Sequence, residues 1–346
     1  MQTKKRDPRS KLAHIEVCLT DAVEYSKTTL LENYDFINQA LCDVSLSDID
    51  ISLPWFGKTL QAPLMIAPMT GGVEQAHAIN RGLARAAEKW GMAMGVGSQR
   101  VGLEEASRAQ YFQIRTEAPT AFIFANIGAA QLCKGWGPEH ARRAVEMIQA
   151  DALFLHLNPI QEACQGGDLD FRRLADKIHD VCTALQGIPV FAREVGFGIS
   201  VEAAQKLVAA GVAGIDCAGA GGTSWAKVEA LCAKSERRRK MGLRFGEWGI
   251  PTAQAIRNVR QVSETIPLVA TGGLRSGIDV AKCLALGADL GAMARPFLVA
   301  CVNNTLDEFI EDTLTELKIS MFGIGAASLH ALKSSKSLSV HPQVRG

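Results

Sequence analysis

Four side chains that could do chemistry lie close together at the end of one predicted strand. Residues 156–162 read HLNPIQE and follow the apolar run 152–155, which is typical of a buried strand. Strand alternation places His156 and Asn158 on one face, and Pro159 ends the strand. A buried polar group without a partner costs about 1–3 kcal/mol. One such residue could equally be a satisfied core residue, but an imidazole, two amides and a carboxylate together indicate a functional site.

The other predicted strands also end in polar or glycine-rich sequence. In chain order, these C-terminal ends read Met69-Thr70-Gly71-Gly72, Gly97-Ser98-Gln99-Arg100, Asn126, Arg193-Glu194, AGAGGTSW (218–225), TGGLRSG (271–277) and Ala294-Arg295-Pro296. The opposite ends of the same strands carry ordinary residues. In a barrel of parallel strands, the active site lies at the C-terminal ends. The asymmetry therefore predicts that these ends meet in one site.

The two glycine-rich runs, 218–225 and 271–277, have the composition of a phosphate site. Glycines let the backbone approach an anion, and the N–H groups at a helix start face it. Each glycine pair alone could be a tight turn, but the two runs together favour phosphate binding. A bound phosphate in a barrel suggests a phosphorylated substrate or FMN. The side chains that could contact an isoalloxazine ring are Thr70, Ser98, Asn126 and Arg193, which leaves His156, Asn158, Gln161 and Glu162 facing a substrate.

The elements that must position these residues form a repeating pattern. Short apolar runs predict strands at 64–67, 92–96, 121–127, 153–157, 190–193, 214–217, 268–270 and 290–294. Helical spacing of apolar residues between them predicts helices at 77–90, 139–149, 171–185, 201–209 and 277–286. Eight strand–helix units predict an α/β fold, the eight-stranded parallel (β/α)8 TIM barrel. A doubly wound open sheet is the alternative, but no GxGxxG follows the first strand.

We interpret the whole chain, 1–346, as a single TIM-barrel domain. Residues 1–60 form an N-terminal extension, in which 19–42 is predicted to be a helix plus a meander that caps the barrel. The barrel core is 61–300, with a long insertion after the sixth strand at about 218–267, and 301–346 is a C-terminal helical segment. The insertion contains the charge run ERRRK at 236–240. Such a run is typical of a solvated helix face; the alternative is a phosphate-gathering or subunit-contacting segment.

Composition excludes several classes of protein. The formal net charge of +1 and the 6% aromatic content argue against nucleic-acid binding. No apolar run approaches the roughly 18 residues of a membrane helix, and the basic start MQTKKRDPRSK has no apolar stretch behind it, so neither a membrane anchor nor a signal peptide is predicted. The nine cysteines contain no CxxC pair. We therefore expect reduced thiols and a cytoplasmic location.

Together, these motifs resemble type 2 isopentenyl-diphosphate isomerase, the FMN-dependent form. The resemblance covers nearly the whole chain, from Lys11 and His14 through MTGG, GVGSQR, HLNPIQE, REVGFGIS, AGAGGTSW and TGGLRSG. HLNPIQE and AGAGGTSW are the specific motifs. The resemblance implies interconversion of isopentenyl and dimethylallyl diphosphate on reduced FMN, with Mg²⁺ held on the diphosphate and NADPH reducing the flavin. It also implies a homo-oligomer of four or eight chains.

The resemblance assigns roles to individual residues. Glu162 is the Mg²⁺ ligand, and Gln161 lies near the alkene, with His156 and Asn158 as its catalytic partners. The substrate-binding residues are Lys11, His14, Ser98, Gln99, Arg100, His156, Asn158 and Gln161. The cofactor-binding residues are Pro68, Met69, Thr70, Ser98, Asn126, Arg193, Thr223, Gly272, Gly273, Arg275, Ala294 and Arg295. Since a glutamine is a poor acid, we expect the flavin to carry the proton.

Two departures from the family pattern matter. Arg193 stands where the family usually has lysine, which replaces a point charge by a planar fork. The family's N-terminal Arg-Lys-x-Glu-His is matched here by Lys11 and His14, whereas Ser10 and Ala13 differ from it. Lys11 remains a diphosphate ligand in this interpretation, and Arg9 could replace the missing arginine.

Three other functions compete with this interpretation. A 2-hydroxy-acid oxidase needs a histidine base near the seventh strand, but none occurs between His179 and His330. An inosinate-dehydrogenase type needs a nucleophilic cysteine in a glycine-rich loop; Cys217 precedes AGAGG but ends a strand, where a core role is expected. A non-catalytic nucleic-acid or scaffold protein would use the charges at 237–240. Flavin absorbance separates these classes, and an isomerase assay separates the enzymes.

Overall fold

The computed structural model describes residues 8–340, with side chains from residue 12 onward. Its central feature is a closed barrel of eight parallel strands, ordered around the barrel as along the chain. These strands are β4 (Leu64–Ile66), β5 (Ala93–Gly95), β6 (Phe122–Gly128), β7 (Ala152–Leu157), β8 (Val190–Glu194), β9 (Gly214–Asp216), β10 (Leu268–Thr271) and β11 (Leu290–Met293). Each coincides with a predicted strand, so the TIM-barrel prediction is confirmed.

Two short strand pairs lie outside the barrel. They are formed by β1 (Tyr34–Phe36) with β12 (Leu338–Val340), and by β2 (Leu53–Trp55) with β3 (Lys58–Leu60), both antiparallel. The helix and meander predicted at 19–42 are not observed. That segment contains two 3₁₀ turns, Asp21–Val23 and Leu31–Asn33, and the strand β1, whose partner β12 lies at the other end of the chain.

Helices surround the barrel. They are α1 (Pro8–Cys18), α2 (Glu74–Trp90), α3 (Arg100–Glu104), α4 (Pro138–Ile148), α5 (Pro159–Gln165), α6 (Leu174–Ala184), α7 (Val201–Ala209), α8 (Trp225–Leu231), α9 (Glu236–Arg244), α10 (Thr252–Val262), α11 (Gly277–Ala285), α12 (Arg295–Val302), α13 (Leu306–Gly323) and α14 (Leu329–Ser334). Among the described residues, no helix is long and apolar enough to cross a bilayer. All nine cysteines are free thiols.

The segment 218–267 is only partly an insertion. Helix α10 packs against β10 and α7 and supplies the helix that a strand–helix unit requires. The additional elements are α8 and α9, which pack on each other and on α5 beside the C-terminal end of β7. The charge run lies on α9, and all of its side chains are exposed. One of them, Arg238, also donates to the Gln165 carbonyl on α5, 3.0 Å away.

The barrel interior changes from aromatic to polar along its axis. Phe124 and Phe154 stack with ring centroids 4.1 Å apart, and Phe191 packs edge-on against both. Trp55, from the β2–β3 hairpin, contacts Phe191 from below. Because side chains alternate along a strand, the next inward positions above these rings lie toward the C-terminal ends. The aromatic layer thus forms a dry floor for the polar residues above it.

Candidate active site

A cavity of about 550 Å³ opens at the C-terminal ends of the barrel strands. It brings together most of the residues predicted from sequence. The predicted residues in its lining are His14, Pro68, Met69, Thr70, Ser98, Arg100, Asn126, His156, Asn158, Gln161, Glu162, Arg193, Thr223, Gly272, Gly273, Arg275, Ala294 and Arg295. Side chains from all eight strand ends therefore face one space, as a barrel active site requires.

Two predicted substrate ligands are not among these. The side chain of Lys11 lies outside the described residues. Gln99 is fully buried and does not face the cavity. Its amide donates to the Ala144 carbonyl on α4 (2.8 Å) and accepts from the Asn126 N–H (2.8 Å). The prediction for Gln99 is therefore corrected: it ties α4 to β6 instead of contacting a ligand.

Asn126 fixes the orientation of His156. The Asn126 amide nitrogen donates to the Val96 carbonyl (3.0 Å), so its oxygen faces His156 Nδ1 at 2.8 Å. An amide oxygen can only accept, so Nδ1 must carry a proton. The imidazole is thereby held in one tautomer and one ring orientation at the cavity wall.

Helix α5 presents the rest of the HLNPIQE segment. Pro159 opens the helix, where its missing N–H costs nothing, and Gln161 and Glu162 fall in the first turn. The Asn158 amide nitrogen lies 3.1 Å from both Gln161 Oε1 and Glu162 Oε1. Among the described residues, the buried Asn158 Oδ1 has no hydrogen-bond partner. The segment thus holds a buried carboxylate beside an unpaired amide oxygen, both facing the cavity.

Sequence reasoning missed Glu229, a buried carboxylate on α8. Its Oε1 accepts from Gln161 Nε2 (2.8 Å), and its Oε2 lies 3.6 Å from His14 Nε2. Burial alone would lower the pKa of His14, but hydrogen bonds to Cys232 and Glu229 raise it to about 9. His14 is therefore a cation at neutral pH. The sequence could have indicated Glu229, because it follows Trp225 of the AGAGGTSW motif by one helical turn, which puts both residues on the same face of α8.

Sequence reasoning also missed Asp216, the last residue of β9. It is fully buried and forms a salt bridge with Arg193, which projects from β8 directly beside it. The Arg193 guanidinium also lies 5.6 Å from the centre of the Phe154 ring, on the aromatic floor. A buried arginine is thus held from below by a ring and from the side by a carboxylate.

Glu194, next to Arg193, faces the other way. Its Oε2 accepts from four successive backbone N–H groups, Val195 to Gly198, at 2.5–3.2 Å. Burial raises the pKa of this carboxyl to about 8, although the four donors favour the charged form. Glu194 therefore orders the loop that follows β8, of which Val195 and Gly196 line the cavity.

The glycine-rich loops after β9 and β10 contact each other through their backbones. A Cβ added to Gly222 would lie 2.5 Å from the Gly273 nitrogen, and one on Gly273 would lie 2.5 Å from the Gly221 carbonyl carbon. Gly273 also has φ +74°, a conformation that favours glycine. Only glycine fits at this junction, so backbone groups form this wall of the cavity.

Arg275 and Arg295 lie at the cavity wall, and Arg275 contacts the glycine junction, where its Nη1 donates to the Gly273 carbonyl at 3.1 Å. Both bind Glu24 of the N-terminal segment, at 3.0 and 2.5 Å. Arg295 also donates to the Cys18 carbonyl at 2.9 Å. Their guanidinium groups hold the N-terminal segment over the site. Their role in binding a cofactor stays a prediction.

Comparisons with known proteins identify relatives that match nearly the whole chain. A family model described as FMN-dependent dehydrogenase matches residues 3–133 and 175–339. An isopentenyl-diphosphate delta-isomerase from Nostoc sp. is 48% identical over 332 residues, covering 95% of both chains. Proteins of the same name from Oceanobacillus iheyensis and Cronobacter sakazakii are 44% and 45% identical, covering 96% and 93% of this chain and 96% and 94% of theirs.

Solved structures show the same barrel at low sequence identity. A flavocytochrome b2 variant with benzoylformate superposes with a TM-score of 0.68 at 17% identity, covering 98% of this chain and 84% of that one. A mandelate oxidase variant gives 0.63 at 19%, covering 96% and 98%. These likenesses concern the fold alone, whereas the sequence matches extend over nearly the whole chain. The protein belongs to the isopentenyl-diphosphate delta-isomerase family, within the FMN-dependent dehydrogenases.

Proposed function

We propose that this protein interconverts isopentenyl diphosphate and dimethylallyl diphosphate using reduced FMN, with Mg²⁺ on the diphosphate. One observation carries the proposal: the HLNPIQE side chains and the glycine-rich loops line the same cavity. The first group has the polar chemistry for a diphosphate and an alkene, and the second suits the phosphate of a flavin. The relatives' shared name supplies the reaction.

The residues present fit FMN. The backbone junction of Gly222 and Gly273 leaves no room for side chains and suits a phosphate, while Thr223 adds a hydroxyl beside it. Thr70, Ser98, Asn126 and Arg193 line the adjoining wall, where a ring system would lie. When bound and reduced, FMN supplies electron density and an acid–base nitrogen next to the alkene.

The variants Thr223→Val and Gly273→Glu are expected to lower flavin occupancy. The first removes a hydroxyl at the glycine junction, and the second forces a charged side chain where a Cβ already collides with Gly221. The matched control neutralises Arg237, Arg239 and Lys240 together, since these side chains are exposed on α9. The ratio of flavin to protein absorbance measures the effect. Loss of flavin from the control would mean that the charged side chains of α9 contribute to binding the flavin phosphate.

The diphosphate end of the proposed site is cationic. Arg100, Ser98, His14 and His156 line it, and His14 is charged below about pH 9. The residues also fit Mg²⁺, which commonly takes one or two carboxylates and completes its shell with substrate phosphates and water. Glu162 would provide the carboxylate, and the unpartnered Asn158 oxygen lies in the same segment. Oxygen ligands of this kind suit a hard cation.

The alkene end centres on Gln161. Its amide oxygen accepts from Asn158, and its nitrogen donates to Glu229, so both hydrogen-bonding groups are fixed. An amide is too weak an acid to protonate an alkene, so we assign Gln161 to orienting the substrate. A carbocation-like species needs a dry pocket with negative charge nearby. The buried Glu229 carboxylate lies beside this end in contact with Gln161, and it shares its charge with the His14 cation.

The remaining features of the proposal follow from family membership. NADPH would reduce the flavin, and the protein would act in the cytoplasm as a homo-oligomer of four or eight chains. An oxidase function is disfavoured because β10 ends at Thr271 and is followed by Gly272 and Gly273, with no histidine where a hydroxy-acid oxidase needs its base.

An anaerobic assay tests the proposed function. FMN-loaded protein with Mg²⁺ and either NADPH or dithionite should convert isopentenyl diphosphate to dimethylallyl diphosphate, and the oxidised protein should not. Flavin-free protein under the same conditions is the control. Equal turnover without flavin, or flavin reduction by lactate in place of isomerisation, would contradict the proposal.

A further inference from the structure

A buried aspartate, Asp168, lies just behind the cavity wall, in the loop after α5. It is 7% exposed, and the described cavity lining does not include it. Three residues of that lining nevertheless contact it: Arg100, Gln131 and Glu162. Burying a charge costs free energy unless the charge is paired, so the contacts of this carboxylate must compensate for its burial.

The Asp168 side chain holds a group of donors. Its Oδ2 accepts from Gln131 Nε2 at 2.8 Å, and its Oδ1 pairs with Lys134. Arg100 Nη1 lies 3.9 Å from Oδ2, an ion-pair distance, while Arg100 Nε donates to Glu104 at 2.9 Å, so the two carboxylates hold the guanidinium together. The Asp168 carboxylate therefore faces two cationic side chains and one amide donor.

The Asp168 backbone holds the proposed metal ligand. Its N–H donates to Glu162 Oε2 at 2.7 Å. The preceding Gly167 leaves room for this contact, because a Cβ there would collide with the Glu162 carboxylate. One residue thus contacts the proposed Mg²⁺ ligand through its backbone and the proposed diphosphate ligand through its side chain.

We propose that Asp168 is a positioning residue: its carboxylate holds Arg100 and Gln131 in the orientation that receives the substrate diphosphate. The inference rests on the proposed function and deepens its diphosphate end. An arginine side chain loses much of its rotamer freedom when it is held against an anion. If Asp168 has already removed part of that freedom, less is lost when the anion binds.

The variant Asp168→Asn removes the charge while keeping the shape and the N–H to Glu162. Binding of inorganic diphosphate to the FMN-loaded protein, measured by calorimetry in Mg²⁺, is expected to weaken about tenfold, as for one hydrogen bond to a charged group. Flavin content and the Mg²⁺ titration should not change. The matched control is Asp170→Asn, since Asp170 is exposed and pairs with Arg172 at the surface; its binding should equal that of the wild type.

A double-mutant cycle separates positioning from a merely structural role. If Asp168 acts through Arg100, then Asp168→Asn should weaken diphosphate binding less than twofold in an Arg100→Gln background. An equal loss in both backgrounds, or no loss in the single variant, overturns the inference. If the asparagine variant does not fold, Asp168→Glu, whose carboxylate is displaced by one methylene, should show the same non-additivity. Diphosphate binding requires no turnover, so failure of the isomerase assay alone would reject only the proposed function.

Discussion

The variant Glu162→Gln is expected to lose roughly a hundredfold in turnover, because altering even the outer partners of metal ligands typically costs about 10–100-fold. The amide keeps the shape of the side chain but removes the charge that Mg²⁺ prefers. The Asn158 and Asp168 donors that face the carboxylate would then meet one oxygen and one NH₂ group. We therefore also expect the Mg²⁺ concentration for half-maximal activity to rise.

Flavin content separates this effect from misfolding. The glycine junction that would hold FMN lies on the loops after β9 and β10 and makes no use of the Glu162 side chain, so flavin absorbance should stay at the wild-type level. The matched control is Glu146→Gln, an exposed glutamate on the outer face of α4, which should change neither quantity. A Mg²⁺ titration that is the same in Glu162→Gln and wild type would assign the metal to the substrate alone.

Arg193→Ala is expected to damage both stability and the flavin. It leaves Asp216 buried without its partner, and breaking a buried pair in this way costs about 3–5 kcal/mol. It also removes the cation that would contact the flavin ring in the proposed site, so the midpoint potential should fall and turnover with it. Arg193→Lys should retain substantial activity, because lysine supplies the charge, with some loss of flavin affinity from its single contact.

A double variant distinguishes the two effects of Arg193→Ala. In Arg193→Ala with Asp216→Asn, no charge is left buried, so most of the lost stability should return. The midpoint potential should remain low, because the cation is still missing. Denaturant unfolding and potentiometric titration measure the two quantities. A wild-type potential and rate in Arg193→Ala would mean that Arg193 does not face the flavin.

The barrel could be predicted from sequence because each strand is a short apolar run between recognisable helices. A parallel barrel then brings the strand ends together, so residues such as His156 and Thr223 could be grouped without a structure. Their individual roles remain predictions. Gln99 was misassigned because β5 ends at Gly95, and strand alternation gives no direction to a side chain four residues beyond it.

The supporting carboxylates could not be predicted in the same way. Glu229, Asp216 and Asp168 each act through a partner distant in sequence, and a single aspartate or glutamate in a helix or loop usually faces solvent. The ion pairs of Arg275 and Arg295 with Glu24 could not be predicted for the same reason, because Glu24 is distant from both in sequence. Pairings of this kind depend on tertiary placement, which composition and periodicity do not record.

The pairing of β1 with β12 has a consequence for folding. Tyr34 aligns with Val340, so this contact joins the two ends of the described chain. Contacts of such high sequence separation are costly in loop-closure entropy and tend to form late. During synthesis the segment that carries β1 must wait until β12 has left the ribosome. The strand pair can therefore form only after residues 338–340 have been synthesised, and so after every strand of the barrel between them.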